Sequence, residues 1–315
     1  MNITILDTES IGLDLDYTPF EKLGKLTLYP ATTPDEVIER LQNTHVVILN
    51  KVKLTREILL SAPTLKLICV AATGYDNIDV DTCREKGIAL CNVKGYSTES
   101  VAQLTLAVVL HLACHLPTYT TYVENGSYTA SARPNLLVPT FHELKGKTWG
   151  IVGYGGIGQR VCELARAFGC SVLAYKRTPT PEIEITDLAT LCEKSDIITL
   201  HLPLTKETKE IMSKAMLQRC KPTAIIVNVA RGGVIDSKAV AEMILSGRLA
   251  GFGSDVYETE PFAQDHPFAE IANLPNVCLT PHVAWAAHES RTRLLSEIQK
   301  NISAYIDGDI YNRIV

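Results

Sequence analysis

Three side chains and one glycine loop in this chain of 315 residues are of the types that transfer a hydride and a proton together. The run Val227-Asn228-Val229-Ala230-Arg231-Gly232-Gly233 places an arginine just past an apolar stretch that reads as a buried strand. A guanidinium there can hold a carboxylate through two parallel hydrogen bonds, and the glycines leave room for a ligand beside it. The next apolar run ends at Asp255, with Glu260 in the loop beyond it. Leu279-Thr280-Pro281-His282 closes a third run with a histidine. One group to anchor a carboxylate, one to exchange a hydroxyl proton and one to tune that exchange are the parts of a hydride-transfer site. A lone arginine or histidine in such a place is often structural, so the set gains its meaning from the site for the hydride carrier.

Gly153-Tyr154-Gly155-Gly156-Ile157-Gly158 fits G-x-G-x-x-G. It follows the apolar Trp149–Val152, opens a helical pattern over Gly156–Phe168 that stops at Gly169, and is followed by the run Ser171–Tyr175. In that strand–helix–strand context the glycines permit a tight turn, close approach of backbone to a pyrophosphate, and tight helix–strand packing. The helix N-terminus adds free N–H groups for the anion. About 20 residues further on, a carboxylate normally holds the ribose 2′-hydroxyl of NAD. Here stand Lys176 and Arg177. Two cations suit the 2′-phosphate of NADP, so the reading leans to NADP, with NAD as the alternative.

Two rounds of strand–helix alternation must position these groups. Asn2–Leu6, Leu26–Tyr29, Val46–Leu49, Leu67–Ala71 and Ile88–Leu90 read as strands of the first round. Trp149–Val152, Ser171–Tyr175, Ile197–Leu200, Ala224–Val229, Gly251–Asp255 and Val277–Thr280 read as strands of the second. Helical patterns lie between them: one capped by Thr33 with Pro34 at its first position, Asp79–Lys86 stopped by Gly87, Asp187–Glu193, Ser213–Arg219 and Ser237–Ser246. The pattern predicts an α/β protein with two doubly wound parallel sheets, whose ligands bind at the carboxyl ends of the strands. Ser97–Leu116 is expected to form a long helix, apolar nearly all round and therefore buried between layers or between subunits. Its apolar face is wider than one domain of this size is expected to cover. The amphipathic Glu289–Ile306 is expected to return to the first domain.

Composition narrows the classes. Apolar residues are 46%, charged residues 21% and the net charge −5. These values exclude a disordered, collagen-like or coiled-coil chain, and the mild acidity argues against a general nucleic-acid binder. No uninterrupted apolar run reaches membrane-spanning length; the nearest, Val101–Leu116, is broken by Gln103, Thr105, His111 and His115. The opening MNITILDTES has neither the basic nor the apolar region of a secretory signal, which points to the cytoplasm. Nine scattered cysteines without a C-x-x-C pair read as reduced core thiols rather than disulfides or metal ligands, and no metal site is expected.

The ordered motifs AATGYDNID, GYSTESVAQ, GKTWGIVGYGGIGQ, HLPLTKET, VNVARGGVID, GSDVYETEP and LTPHVAWA resemble, over essentially the whole chain, the D-isomer-specific 2-hydroxyacid dehydrogenases. The resemblance implies that Arg231 binds the carboxylate and carbonyl of a 2-oxo acid. His282 is then the proton donor in reduction, and Glu260 pairs with it and keeps it protonated. It puts Asp255 at the nicotinamide side and adds Val101, Ile157, Leu202, Pro203, Val229, Ala230 and His282 to the cofactor contacts. Thr73 and Gly74 would offer backbone N–H groups to the substrate carboxylate, and Lys51 and Trp285, near Asn50, would set substrate choice. It implies a discontinuous, flavodoxin-like substrate domain, residues 1–97 and 285–315, with a Rossmann nucleotide domain, 98–284, inserted in it. The GYSTESVAQ and HVAWA forms point to the glycerate dehydrogenase (hydroxypyruvate reductase) branch, and so to hydroxypyruvate or glyoxylate as substrate. Relatives acting on D-lactate or phosphoglycerate, and a nucleotide-sensing co-repressor of the same fold, are the alternatives. Together with the wide apolar face of Ser97–Leu116, the resemblance suggests a homodimer. Lys176 is the departure, standing where NAD-using relatives carry Asp.

Overall fold

Apolar runs among the first 97 residues form five strands, β1 (Asn2–Ile5), β2 (Lys25–Leu28), β3 (Val46–Leu49), β4 (Leu67–Val70) and β5 (Ala89–Cys91). The computed structural model describes residues 1–178 and 183–315. All five strands are parallel, in the order β2-β1-β3-β4-β5. Every residue of β3 and β4 is buried, which is why these strands read as unbroken apolar runs instead of alternating ones. Thr33 and Glu36 close a capping box around the Pro34–Glu36 turn that leads into the helix Val37–Leu41. Asp79 caps the helix Val80–Lys86, and Gly87, at φ 66°, stops it in the left-handed conformation that glycine adopts without strain.

The C-terminal helix His288–Asp307 buries Leu294, Leu295, Ile298 and Ile302 and packs against β4. Ser290 and Arg293 donate to the carbonyl of Tyr96 at 3.2 and 3.1 Å. Ile314 N–H donates to the carbonyl of Leu90 at 2.7 Å. Met1–Ser97 and Ala286–Val315 thus make one compact unit, and Thr98–Trp285 makes the other, which places Trp285 with the second.

The second unit is built on β6 (Thr148–Val152), β7 (Ser171–Tyr175), β8 (Ile197–Leu200), β9 (Ile225–Asn228), β10 (Gly251–Ser254) and β11 (Val277–Leu279). They form one parallel sheet in the order β11-β10-β9-β8-β6-β7. The chain winds outward from β6 in both directions, so the crevice for a ligand lies at the carboxyl ends around β6 and β8. The helix Thr98–Ala113 crosses β9, β10 and β11 and contacts the helix Gly156–Ala167. Its buried side carries Val101, Ala102, Thr105, Val108, Val109 and Leu112. A Cβ on Gly253 would run into Val108 Cγ1, so this glycine sets how closely helix and sheet approach.

The apolar circumference read from Ser97–Leu116 is not buried all round. Leu104, Leu106 and Leu110 are half-buried, and Ala107 is exposed. The helix ends at Ala113, and the chain bends by 65° into a second helix, Leu116–Glu124, at His115, whose φ is 51°. No single helix among the described residues is long and apolar enough to cross a membrane. All nine cysteines are thiols, seven of them buried.

Gly253→Ala tests the helix–sheet spacing. Alanine is ordinarily the better residue in a strand than glycine, but the short β-branched Val108 cannot swing away from the new methyl. The expected result is a loss of about 1–3 kcal/mol, read as a lower urea midpoint with an unchanged m value.

Candidate active site

Three neighbouring strand ends carry the candidate chemistry. Asn228 of β9 lies opposite Ser254 of β10, which lies opposite Leu279 of β11. Arg231, Asp255 with Glu260, and His282 therefore leave the same edge of the sheet side by side.

Asp255 organises that edge. It is 2% exposed, and its carboxylate faces back into the turn after β11. One oxygen accepts from the Thr280 hydroxyl at 2.6 Å and Val283 N–H at 2.8 Å, the other from Ala284 N–H at 2.8 Å. Burial raises its carboxyl above the ordinary range, against the opposing pull of those hydrogen bonds. Between the anchored residues sits His282 at φ 54°, a left-handed conformation that costs a non-glycine residue about 1–2 kcal/mol. Asp255 therefore holds the strained turn from both sides. The sequence placed Asp255 at the nicotinamide; its visible work is to aim the histidine.

His282 Nδ1 lies 2.6 Å from Glu260 Oε2, and the two side chains are 26% and 29% exposed. The other carboxylate oxygen of Glu260 accepts from Tyr257 N–H at 3.2 Å. The Tyr257 hydroxyl donates to the carbonyl of Thr280 at 2.8 Å. Burial pushes this phenol up to about 12, so it stays a neutral donor that ties the Glu260 loop to the His282 turn. With Nδ1 committed to a carboxylate, Nε2 is the nitrogen left to exchange a proton.

Arg231 follows an asparagine that locks its own turn. The fully buried Asn228 accepts from Ala230 N–H and donates to the carbonyl of Arg231, each at 3.0 Å. One guanidinium nitrogen donates to the carbonyl of Ala230 at 2.8 Å, which aims the fork. A Cβ on Gly232 would overlap the backbone of Tyr257 and Glu258. The arginine loop thus lies backbone to backbone on the loop that carries Glu260, and only glycine permits that approach.

The glycine loop is divided between packing and openness. Gly153 has φ 100°, and a Cβ there would fall 2.8 Å from the His201 carbonyl and Leu202 N. A Cβ on Gly158 would strike the carbonyl of Gly153. Gly155 faces nothing within 4 Å, and Gly156 meets only the Thr98 hydroxyl at 3.8 Å. Gly155 is the N-cap of the helix Gly156–Ala167 and offers no side-chain cap. Its first N–H groups are left to an anion. This cradle fits a dinucleotide pyrophosphate.

The other sequence candidates divide between the units. Val101, Leu202, Val229 and Ala230 are buried, Ile157 is half-buried and Pro203 is exposed. Lys176 is half-buried at the end of β7, and Arg177 is exposed. Trp285 is half-buried, and its indole N–H donates to the carbonyl of His282 at 3.0 Å. In the first unit, Lys51 and Thr73 lie just past β3 and β4. The Thr73 hydroxyl donates to the carbonyl of Val93 at 2.8 Å, and Asn92 donates to the carbonyl of Thr73 at 2.7 Å. That leaves backbone N–H groups as what Thr73-Gly74 can offer. The Lys51 loop is pinned by Asp7, which the sequence did not single out. This buried carboxylate accepts from the N–H groups of Asn50 at 2.9 Å, Lys51 at 2.6 Å and Val52 at 3.3 Å. His201 is also new. Neither of its buried ring nitrogens has a partner among the described residues, and burial pushes its pKa down to about 3, so the ring beside Gly153 is neutral.

Residues 106–284 match the family profile "D-isomer specific 2-hydroxyacid dehydrogenase, NAD binding domain". The chain is 34% identical over 311 residues to a glycerate dehydrogenase of Methylorubrum extorquens, covering 98% of both proteins. It is 35% identical over 321 residues to a hydroxypyruvate reductase of Blautia hydrogenotrophica, covering 99% of both. Among solved structures, an acyclic imino acid reductase in complex with NADPH and D-Arg superposes with a TM-score of 0.87 at 28% identity, over the full length of both chains.

Asp255→Asn keeps the size of the side chain but turns an amide N–H toward a backbone or hydroxyl donor in the turn after β11. One buried donor then lacks a partner, at a cost of about 1–3 kcal/mol. The melting temperature should fall, and turnover should fall with it even after the variant is saturated with substrate and dinucleotide.

Proposed function

The chain belongs to the D-isomer specific 2-hydroxyacid dehydrogenases, and within that family we propose that it reduces a small 2-oxo acid of the hydroxypyruvate or glyoxylate class to the D-2-hydroxy acid. The observation that carries this reading is the 2.6 Å pair of His282 and Glu260, on a loop packed directly against that of Arg231. The glycerate dehydrogenase and hydroxypyruvate reductase relatives support the substrate class.

In this reading the glycine loop 153–158 would hold a nicotinamide dinucleotide, which would supply a hydride when bound. Arg231 grips the substrate carboxylate with its planar fork and polarises the carbonyl. His282 gives its Nε2 proton to the developing alkoxide. Glu260, at Nδ1, holds the ring and leaves Nε2 as the nitrogen for that transfer. The second unit is the nucleotide domain and the first the substrate domain. There Thr73 and Gly74 are assigned to the substrate carboxylate; Lys51, with Trp285 of the second unit, is assigned to substrate choice. A panel of 2-oxo acids with NADH and NADPH tests the function. Hydroxypyruvate and glyoxylate should lead it, His282→Ala should lose roughly 10²–10⁴-fold in kcat while still binding dinucleotide, and Arg231→Lys should lose most of kcat/KM. Dinucleotide binding without turnover of any 2-oxo acid would favour the co-repressor alternative.

Enzymes of this family use NAD(P), and this chain's preference is assigned to NADPH. Among the described residues that directly follow β7 none is a carboxylate, and the half-buried Lys176 with Arg177 offers charge to a 2′-phosphate. The NADPH complex of the imino acid reductase shows the phosphorylated cofactor on a similar fold. We expect kcat/KM with NADPH at least equal to that with NADH. Lys176→Asp should shift the ratio toward NADH by roughly 10- to 100-fold, the worth of one charge-assisted hydrogen bond. A strong NADH preference that Arg177→Ala leaves unchanged would overturn the assignment.

A second copy of this chain is the proposed partner. Leu116, Val123, Leu137, Val138 and Phe141 are 45%, 58%, 74%, 70% and 51% exposed. They continue from the half-buried outer side of the helix Thr98–Ala113. Exposed apolar surface of that extent marks an interface, and self-association closed by two-fold symmetry is the simplest cover. Light scattering should give the mass of a dimer, and Leu137→Asp with Phe141→Asp that of a monomer.

A further inference from the structure

Beside the Glu260–His282 pair lies a second histidine–glutamate pair to which the reaction assigns no step. Glu258 Oε2 is 2.9 Å from His266 Nε2. The hydroxyl of Ser237 donates to the other oxygen, Oε1. His266 Nδ1 in turn accepts from Phe268 N–H at 3.1 Å and so caps the helix Pro267–Ile271. Because Nδ1 is an acceptor, the ring proton sits on Nε2 and points at Glu258. A neutral imidazole satisfies both partners, and no ring nitrogen remains for chemistry.

We propose that Glu258 is a positioning residue: by bonding Ser237 and His266 at once, it fixes the loop that carries Glu260 against the loop that carries Arg231. The contacts close a ring of structure. Glu258 and His266 join the two ends of a loop that contains Glu260. The inside of that loop is filled by Tyr257, Phe262 and His266, with ring centroids 4.7 Å apart for Tyr257–Phe262 and 5.1 Å for Phe262–His266. Ser237 opens the helix Ser237–Leu245, into which the arginine loop runs. The approach of Gly232 to the backbone of Tyr257 and Glu258 makes the same junction without side chains. Burial raises the Glu258 carboxyl, but the hydrogen bonds of Ser237 and His266 outweigh it and hold the group below its ordinary value, so the junction is ionised at neutral pH. Arg231 and Glu260 must keep their separation for the proposed reaction, and a displacement of about 1 Å in a positioned group costs on the order of 10²-fold in rate.

The inference rests on the proposed function for its kinetic readout, and it has a structural readout of its own. Two variants of His266 separate a helix cap from a clamp. In His266→Asn the amide oxygen keeps the cap on Phe268, asparagine being a good N-cap residue, but the side chain is too short for Glu258. In His266→Gln an amide N–H reaches Glu258 and the cap is lost. With the full chain and saturating dinucleotide, His266→Asn should fall roughly 10- to 100-fold in kcat, with dinucleotide affinity within about twofold and melting temperature near the unmodified value. His266→Gln should recover most of kcat while melting lower. Glu258→Ala, which removes both contacts, should match His266→Asn in kcat, and combining the two should cost no more than either alone, as expected for partners in one interaction. Amide hydrogen exchange of residues 257–262 should be fast in His266→Asn and Glu258→Ala and slow in His266→Gln. If His266→Asn keeps its kcat and its protection, or His266→Gln is the worse in both, the histidine is a cap and the proposal fails. If the unmodified protein reduces no 2-oxo acid, the proposed function fails, and the exchange pattern still decides the clamp.

Discussion

A carboxylate buried as deeply as Asp255 must find donors, because burying a charge without partners is far more expensive than any single contact returns. The donors available to it are one hydroxyl and two backbone N–H groups of the turn after β11. Satisfying them fixes the turn, and fixing the turn holds His282 in a left-handed conformation that an unrestrained histidine would leave. The 2.6 Å approach to Glu260 is a consequence. The first unit repeats the device: Asp7, buried at the end of β1, gathers the N–H groups of residues 50–52. In both units an acid below the surface shapes a loop above it.

Glycines supply what carboxylates cannot, the close approach of one backbone to another. Gly232 lays the arginine loop on the glutamate loop, Gly153 and Gly158 fold the nucleotide turn onto the end of β8 and onto itself, and Gly253 lets a helix settle on the sheet. Gly155 faces open space, and Gly156 meets only the Thr98 hydroxyl at van der Waals distance. The difference separates glycines that a larger residue would break mechanically from those that a ligand needs bare.

Much of this was legible in the chain. Runs such as Val46–Leu49 and Ile197–Leu200 became strands with the bounds their composition suggested, because a parallel strand buried on both faces is apolar throughout. Cap signals at Thr33 and Gly87 acted where they stood, and Asp79, read as the first helical residue, is the N-cap. The sequence reading ends its long helix at Leu116 and assigns nothing to Leu116–Glu124, which the structure starts afresh as a helix after a bend at His115, with Pro117 in its first turn. The supporting half of the site was not legible at all. Asp255 meets its partners 25 to 29 residues away and Asp7 meets its own 43 to 45 away, and no local pattern marks an acid whose donors are distant backbone amides. His201 lay within a quoted motif, yet the burial of its ring nitrogens without a partner among the described residues is a property of the fold.

Two histidine–glutamate pairs stand beyond β10 and β11, and residue types alone do not say which one does chemistry. His282 and His266 both follow a strand or loop end, and each has a glutamate within hydrogen-bonding distance. The structure separates them by their second nitrogen. At His266 the backbone of Phe268 takes Nδ1 and the carboxylate takes Nε2; the ring is saturated, and gaining a proton would break the cap. At His282 the carboxylate takes Nδ1, and among the described residues nothing takes Nε2, on a side chain about a quarter exposed. A proton can arrive there and leave without disturbing the fold. On the proposed function the same two side chains serve as a strut in one place and an acid in the other, and the distinction lies in which ring nitrogen the surrounding backbone leaves unclaimed.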